Sequence, residues 1–310
     1  MQARIGVVIV SFNDPDLTLR TLASLCSGSH VPEVIVVVDN STSNFVQNAL
    51  ADDDRVVYHR TEENLGFCGA NNLGIHIALD RFVEFVLLLN HDTLMDPNCF
   101  ERLAQRAFLE KGQAIVTPKV RLLPDRERLW YAGGFFSRLI GAGKNIGFGS
   151  LDQGQFDTAG NVTYATGCCM LIPVSVFKSA GYLNSHMFMY LDDIEFCLRA
   201  RKNGFSIYYE PGAILYHELG SGARFRQRPD YYLYFSIRNK PLVVSPGAYR
   251  LYLYLVAVVF GCIKIIQVCL YPGIEYRWRK TKALFWGMID AFSSEEKFRG
   301  RFPRLFRHPN

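Results

Sequence analysis

The chain has 310 residues, 49% of them hydrophobic, which suits one large domain with an appendage or two small domains and excludes a disordered chain. Its net charge of +5 sits in the tail, because from Pro272 onward nine Lys/Arg face four Asp/Glu while the 271 residues before it balance. A basic tail on a neutral body points to an anionic surface, a membrane ahead of a nucleic acid.

The N-terminus moves straight into the β-branched run Ile5–Val10 without an apolar leader and cleavage site, so no signal peptide is expected. That run ends in Ser11-Phe12-Asn13. Asp14-Pro15 then reads as an N-cap with proline at the first helical position, opening a helix to about Leu25. Val34–Val38 is a second buried strand, ending in Asp39-Asn40. A third around Val56–His59 leads through Glu63–Asn72 into a short helix. Phe85–Leu89 is a continuous apolar run, suited to a strand buried on both faces, and it stops at Asn90-His91-Asp92. A helix near Pro97–Leu109 and a strand near Ala114–Thr117 follow. Apolar strands alternating with helices at this spacing predict a parallel sheet with helices on both faces.

Three strands therefore end in polar residues, at Ser11–Asn13, Asp39-Asn40 and Asn90–Asp92. In a parallel sheet those ends share one edge, where open α/β sheets bind their ligands. Asp92 can hold a divalent metal there, or cap the helix that follows. Asp39 can accept hydrogen bonds from a ribose or a base amide, or serve a turn. The first strand is followed neither by G-x-G-x-x-G nor by a P-loop, which excludes the dinucleotide and Walker versions of the fold. A nucleotidyltransferase that makes sugar nucleotides also wants a glycine-rich phosphate loop in that place.

From Lys119 to Gly160 the pattern turns irregular and rich in glycine and aromatics, including Trp130-Tyr131, as lids and binding loops are. Tyr164–Ile172 resumes as a strand. Phe188–Arg199 predicts a helix whose N-terminus is marked by Asp192-Asp193, acids that suit the helix dipole, with Glu195 and Arg199 an i,i+4 surface pair. Phe205–Tyr209 and Ala213–Tyr216 are short strands, the second leading into His217. The eight cysteines show no CxxC or zinc spacing, so buried free thiols in a reducing compartment are expected.

Seven segments in order, Val8–Asn13, Val37–Ser41, Glu63–Gly74, Leu87–Thr93, Gly167–Ile172, Met189–Arg199 and Tyr216-His217, span about residues 4–222. With them the chain resembles the inverting family 2 glycosyltransferases of the GT-A fold, in particular a bacterial rhamnosyltransferase-like branch. The resemblance implies an α/β fold with a Rossmann-like, mostly parallel central sheet, and transfer of a sugar from a nucleotide-diphosphate donor to a hydroxyl. It assigns Ser11, Phe12, Asp39, Asn64, Asn90 and Asp92 to the nucleotide sugar, Asp92 with His217 to a Mg²⁺ or Mn²⁺ ion, Trp130, Gly167 and Asp192 to the acceptor, and Asp193 to the catalytic base. Three positions depart from the pattern. Asn90 replaces the first acid of the Asp-x-Asp motif and is a weaker metal ligand, His91 stands where proline is common, and Asp192 stands where many members have Glu. Read as residues alone, Asp193 also suits a helix cap and His217 a core or turn histidine. These motifs hold no candidate covalent nucleophile, which favours a single displacement that inverts the anomeric centre. The branch implies L-rhamnose from dTDP-rhamnose in bacterial cell-surface polysaccharide synthesis. The alternatives are galactofuranose or an N-acetylhexosamine from a UDP-sugar, and after those a non-catalytic nucleotide-sugar-binding membrane protein.

Leu251–Tyr271 is almost wholly apolar, broken only by Lys264 and Gln267, and approaches the ~20 residues that span a bilayer. The basic aromatic stretch Tyr276–Lys280 follows. The segment can span, lie in the interface or complete the core; Tyr252, Tyr254, the central lysine and the Trp/Arg flank favour the interface. The expected organisation is a catalytic domain over 1–225 and a helical, basic, membrane-associating region over 226–310. The expected location is cytoplasmic and peripheral on the inner face of the cell membrane, with a glycan or polyprenyl-linked acceptor and no nucleic-acid partner.

Overall fold

The computed structural model describes residues 3–28, 30–42, 50, 53–218, 228–244, 246–270, 273–293 and 297–306. The expected boundary at 225/226 lies outside the described residues. In chain order, β1 (Ile5–Ser11) leads to α1 (Pro15–Cys26), β2 (Val34–Asp39), β3 (Val56–Arg60), α2 (Gly66–Leu79), β4 (Phe85–Asn90), the three-residue β5 (Thr93–Met95), α3 (Cys99–Leu109) and β6 (Ala114–Leu123). Next come β7 (Leu129–Tyr131), β8 (Gly134–Ser137), β9 (Ala142–Asn145), β10 (Gly160–Asn161), β11 (Cys169–Pro173), α4 (Val174–Ala180), α5 (Asp192–Lys202) and β12 (Ser206–Glu218). The C-terminal part holds α6 (Asp230–Arg238), α7 (Ala248–Cys269), α8 (Ile274–Asp290) and the single turn α9 (Phe298–Arg301).

One ten-stranded mixed sheet runs in the order β10-β12-β6-β11-β4-β1-β2-β3. The half β4-β1-β2-β3 is parallel, and β1 sits between β2 and β4 with Val8 opposite Val36 on one side and Leu88 on the other. The apolar runs are buried along nearly their whole length, as strands covered on both faces must be. Helix α1 starts where its cap predicts, with Asp14 Oδ1 accepting from the Leu17 amide at 3.1 Å ahead of Pro15. Strand β11 enters antiparallel between β4 and β6, and β12 runs parallel to β6.

The structure departs from the sequence reading where pairing is long-range. Asp92 caps no helix: β5 intervenes, Asp96 makes a turn by accepting from the Asn98 and Cys99 amides, and α3 begins at Cys99. The two short strands expected over 205–216 are one, β12, with an irregularity between Glu210 and Ile214 at Pro211-Gly212. The strand expected from Tyr164 begins at Cys169, and the helix expected from Phe188 begins at Asp192. Within 119–160 the chain is more ordered than expected, since β6 runs to Leu123 and β8 and β9 form an antiparallel hairpin. Five cysteines are buried free thiols, but Cys26, Cys262 and Cys269 are exposed.

The C-terminal helices share a second core with the main body, in which Phe188 packs with Tyr234, Phe235, Ala283 and Phe298. Only Leu253, Ala257, Gly261 and Val268 of α7 are buried, a narrow stripe at helical spacing. Opposite it Leu251, Leu255, Val259, Ile263, Ile266 and Leu270 are exposed.

Helix α2 lies tight on the sheet because Gly74 has no side chain: a Cβ there would overlap Val8 and stand 3.1 Å from Val38 Cγ2. Both valines are fully buried and have few other rotamers. Gly74→Ala is therefore expected to cost ~1–3 kcal/mol in denaturant unfolding. Gly160→Ala, at a position with open space around it, should stay within ~0.5 kcal/mol of the parent.

Candidate active site

The turn after β4 is fixed from two sides. Thr21 of α1 donates its hydroxyl to the carbonyls of His91 and Thr93, both at 2.7 Å, and Thr93 donates its own to the Asn90 carbonyl at 2.7 Å. Strand β5 then pairs antiparallel with β12, placing Thr93 opposite His217, and the Glu218 amide donates to the Asp92 carbonyl at 2.9 Å. This pairing sets His217 Nε2 3.3 Å from Asp92 Oδ1. The Trp130 ring covers the imidazole with centroids 4.8 Å apart. Burial pushes the Asp92 carboxyl up, but the imidazole of His217, with a smaller pull from His91, outweighs it and holds the group below its ordinary value. Asp92 thus stays a carboxylate.

A second carboxylate reaches the same sheet edge from α5. Asp193 Oδ2 accepts from the Gly167 amide at 3.0 Å, and Oδ1 from the amide of Ile194 at 2.8 Å. Gly167 lies just before β11, whose neighbour Cys168 bonds the Asn90 amide through its carbonyl at 2.9 Å. The buried thiol of Cys168, raised first by burial, also feels the charges of both Asp92 and Asp193. Burial raises the Asp193 carboxyl above its ordinary value despite those amides. Asp192, 4% exposed, is pushed up further, by burial and then by repulsion from Asp193.

The chain reaches α5 through a run of unusual backbone. Phe188, Tyr190 and Leu191 have φ of 63°, 68° and 65°, a left-handed region that costs a non-glycine residue ~1–2 kcal/mol. The run is held by the buried end of α6. The side-chain amide of Asn239 donates to the carbonyls of Met187 and Met189 at 2.8 Å and of Tyr190 at 3.0 Å. Arg238 donates to the carbonyl of His186 and to Asn239 Oδ1. On the other side Gly66, at φ 71°, lets α2 close onto Phe188, whose carbonyl accepts from the Cys68 amide at 3.2 Å.

The ends of β1 and β2 form an adjoining polar cluster. Ser11 and Thr18 share a hydrogen bond at 2.8 Å, and Phe12 beside them is half-buried. Asp39 is fully buried, accepting from the Tyr58 hydroxyl at 2.8 Å and the Ser41 amide at 3.1 Å. Asn64 accepts from the side chain of Asn40 and the Gly66 amide, both at 2.8 Å, and donates to the Leu305 carbonyl at 2.9 Å. Residues 43–49 and 51–52, which follow this cluster, lie outside the described residues. The structure thus brings Asp92, His217, Trp130 and Asn90 together, joins Gly167 to Asp193, and turns Asp39, Asn64 and Asp192 inward. Sequence reasoning missed Tyr58, Thr21 and Asn239. Glu195, expected on the surface, is buried, and its partner Arg199 also donates to the carbonyls of Ala180 and Tyr182.

The donor set suits a hard divalent cation that arrives with a phosphate ligand. Asp92 Oδ1 and His217 Nδ1 are buried without a hydrogen bond, the former with the His217 Nε2 atom 3.3 Å away. Among the described residues no cluster of three or more His, Cys, Asp or Glu could hold a metal by itself. One or two protein ligands completed by phosphate oxygens and water is how Mg²⁺ is commonly held.

Residues 3–240 match the profile of "Glycosyltransferase like family 2". The low-salt glycan biosynthesis hexosyltransferase Agl10 of Haloferax volcanii is 28% identical over 281 residues, 88% of this chain and 87% of that protein. The dTDP-rhamnosyl transferase RfbF of Shigella flexneri is 24% identical over 269 residues, 85% of this chain and 87% of that one. The N-acetylglucosaminyl-diphospho-decaprenol L-rhamnosyltransferase of Mycobacterium tuberculosis is 26% identical over 242 residues, 70% and 77%. Among solved structures, GalNAc-T7 with UDP, GalNAc and Mn²⁺ superposes with a TM-score of 0.61 at 14% identity over 97% of this chain and 58% of that one. S. aureus TarS with UDP-GlcNAc gives 0.57 at 14% identity over 96% and 92%. The fold is GT-A-like.

Two outcomes follow from this geometry. Asn239→Ala removes the donor from three carbonyls and is expected to cost ~2–4 kcal/mol in denaturant unfolding. Asp192 has a folded pKa above its unfolded one, so its contribution is favourable at low pH and lost as pH rises through the folded value. Asp192→Asn should therefore melt higher than the parent at neutral pH, with the gain vanishing below about pH 4.

Proposed function

Because the chain belongs to glycosyltransferase family 2, we propose that it transfers a hexosyl group, L-rhamnose from dTDP-rhamnose first, from a nucleotide-diphosphate donor to a hydroxyl of a glycan or lipid-linked glycan in bacterial cell-surface polysaccharide synthesis, with inversion. The observation that carries the chemistry is the pair of differently tuned carboxylates at one sheet edge. Asp193, raised by burial and held at 3.0 Å from the Gly167 amide, is the base that takes the acceptor's proton as its oxygen attacks the anomeric carbon. A carboxylate of raised pKa accepts that proton more readily than an ordinary one. Asp92 and His217 would hold a divalent cation, Mg²⁺ or Mn²⁺. When bound, it supplies positive charge against the departing diphosphate. Trp130, its ring tilted against that of His217 at 4.8 Å, keeps the imidazole oriented and offers an apolar ring on the acceptor side.

The rhamnosyl assignment leans on two relatives named as L-rhamnosyl or dTDP-rhamnosyl transferases. A UDP-sugar donor is the second reading, favoured by the UDP and UDP-GlcNAc bound in the structural neighbours. We further assign the protein to the inner face of the cell membrane, attached peripherally through α7. Its 22 residues are long and apolar enough to cross a bilayer, but α7 packs along α8, which packs on α6. A helix bound along one side and apolar on the other suits the interface.

The test is turnover with a panel of dTDP- and UDP-sugars. Asp193→Asn is expected to lower transfer ~10²–10⁴-fold with its melting temperature retained. Asp92→Asn and chelation of divalent metal should each reduce turnover, and the two losses should not add. Near-parental transfer by the folded Asp193→Asn protein would remove the base assignment.

A further inference from the structure

The β8–β9 hairpin, residues 134–145, touches both α7 and the first turn of α5. At its tip, Tyr249 and Tyr252 of α7 donate their hydroxyls to the carbonyls of Arg138 and Leu139, each at 2.6 Å. The buried ammonium of Lys240 donates to the carbonyls of Ile140 at 3.1 Å and Gly141 at 3.0 Å. Gly141 lies so close to Leu253 that a Cβ would stand 2.6 Å from its Cδ2. At its stem, the backbone of Gly143 presses on Ile194, the residue after Asp193, and a Cβ there would stand 3.1 Å from the Tyr164 ring. Tyr164 in turn donates to Asn145 Oδ1 at 2.6 Å, and its hydroxyl is pushed up by burial and by the charge of Asp193.

The tip's main-chain carbonyls are fully engaged, yet its side chains are not. Leu139 is 73% exposed and Ile140 41%, beside α7 where Tyr252 bonds the Leu139 carbonyl, and Leu251 at 65% and Leu255 at 66% are exposed on the same helix. Helix α7 is about 33 Å long, and an apolar face left uncovered along such a helix marks a surface that meets a partner or a membrane. The charged groups on it and around it are cations. Helix α7 carries Arg250 and Lys264 and no acid, and Arg138 and Lys144 of the hairpin are exposed. An apolar strip with cations at its rim matches the interface of a bilayer containing anionic lipid.

Building on the membrane attachment proposed above, we infer that the β8–β9 hairpin is a second bilayer-contacting element. Leu139 and Ile140 enter the interface together with the outer face of α7, and the stem carries that contact to the helix bearing Asp193. The acceptor end of the site then opens toward the lipid surface. The occupant of the strip is a lipid bilayer.

The experiment uses the full chain and vesicles of phosphatidylethanolamine and phosphatidylglycerol, measuring binding by co-sedimentation and donor hydrolysis in buffer. Leu139→Asp with Ile140→Asp is expected to weaken vesicle binding at least fivefold with an unchanged melting temperature and unchanged hydrolysis in buffer. Leu255→Asp should do the same. Phe82→Asp, exposed at the turn before β4 and so at the sheet edge opposite the polar strand ends, is the control and should bind as the parent does. A loss smaller than fivefold in the tip variant, or a parent that does not bind these vesicles, overturns the inference. If binding falls as expected but no nucleotide sugar is turned over by the parent, the surface stands and the transferase reading falls.

Discussion

The site depends on a stretch of backbone that would not hold its shape alone. Phe188, Tyr190 and Leu191 all occupy left-handed conformations, so the run into α5 carries several kcal/mol of local cost. What offsets it comes from three distant parts of the chain. Asn239 supplies donors to three of its carbonyls, Gly66 lets α2 approach Phe188, and Phe235, Phe298 and Phe306 pack on the Phe188 ring with centroids 4.8–5.4 Å away. With the run held this way, α5 starts where Asp193 can meet the Gly167 amide. The C-terminal helices are therefore part of the machinery that aims the second carboxylate, whatever they also do at a membrane.

How much of this was legible in the sequence follows from the range of the interactions. The buried strands β1, β2 and β4 were readable because a strand covered on both faces needs only a local apolar run, and their polar ends marked the edge where Asp39 and Asp92 lie. Helix α1 was readable because its cap is local, Asp14 and Pro15. The juxtaposition of Asp92 with His217 was not. It rests on a three-residue strand pairing with a strand some 120 positions later, and β5 alone carries too few residues to show a period. It reached the sequence reading only through the resemblance to a family. Asn239 left even less trace, since a buried asparagine serving main-chain carbonyls about 50 residues away follows no spacing rule.

The charge of the tail was legible in amount and less so in use. Of its nine cations, Arg279 and Lys280 pair with Asp230, Arg299 with Glu63 and Arg301 with Asp290. Those pairs tie α8 and the last turns to α6 and to the loop before α2. Much of the basic character that a tally assigns to an anionic surface is thus spent inside the molecule. The proposed membrane attachment would rest more on the uncovered apolar face of α7, whose stabilisation scales with buried area, than on net charge, which salt would screen.

Burial acts on the two carboxylates with the same sign, and their environments separate them. Both Asp92 and Asp193 lose water, which alone would raise each. Asp92 has an imidazole 3.3 Å away and ends below its ordinary value, while Asp193 is held by backbone amides alone among the described residues and ends above it. Two carboxyl groups pushed apart in this way take opposite tasks at one pH. In the proposed reaction the lower one would stay charged and hold positive charge beside the departing diphosphate, and the upper one would take the acceptor's proton and give it up to water. Asn90, where an acid is usual, fits the same division, because a second full charge beside Asp92 would raise it and blur the separation. A neutral amide leaves His217 as the partner that decides its state.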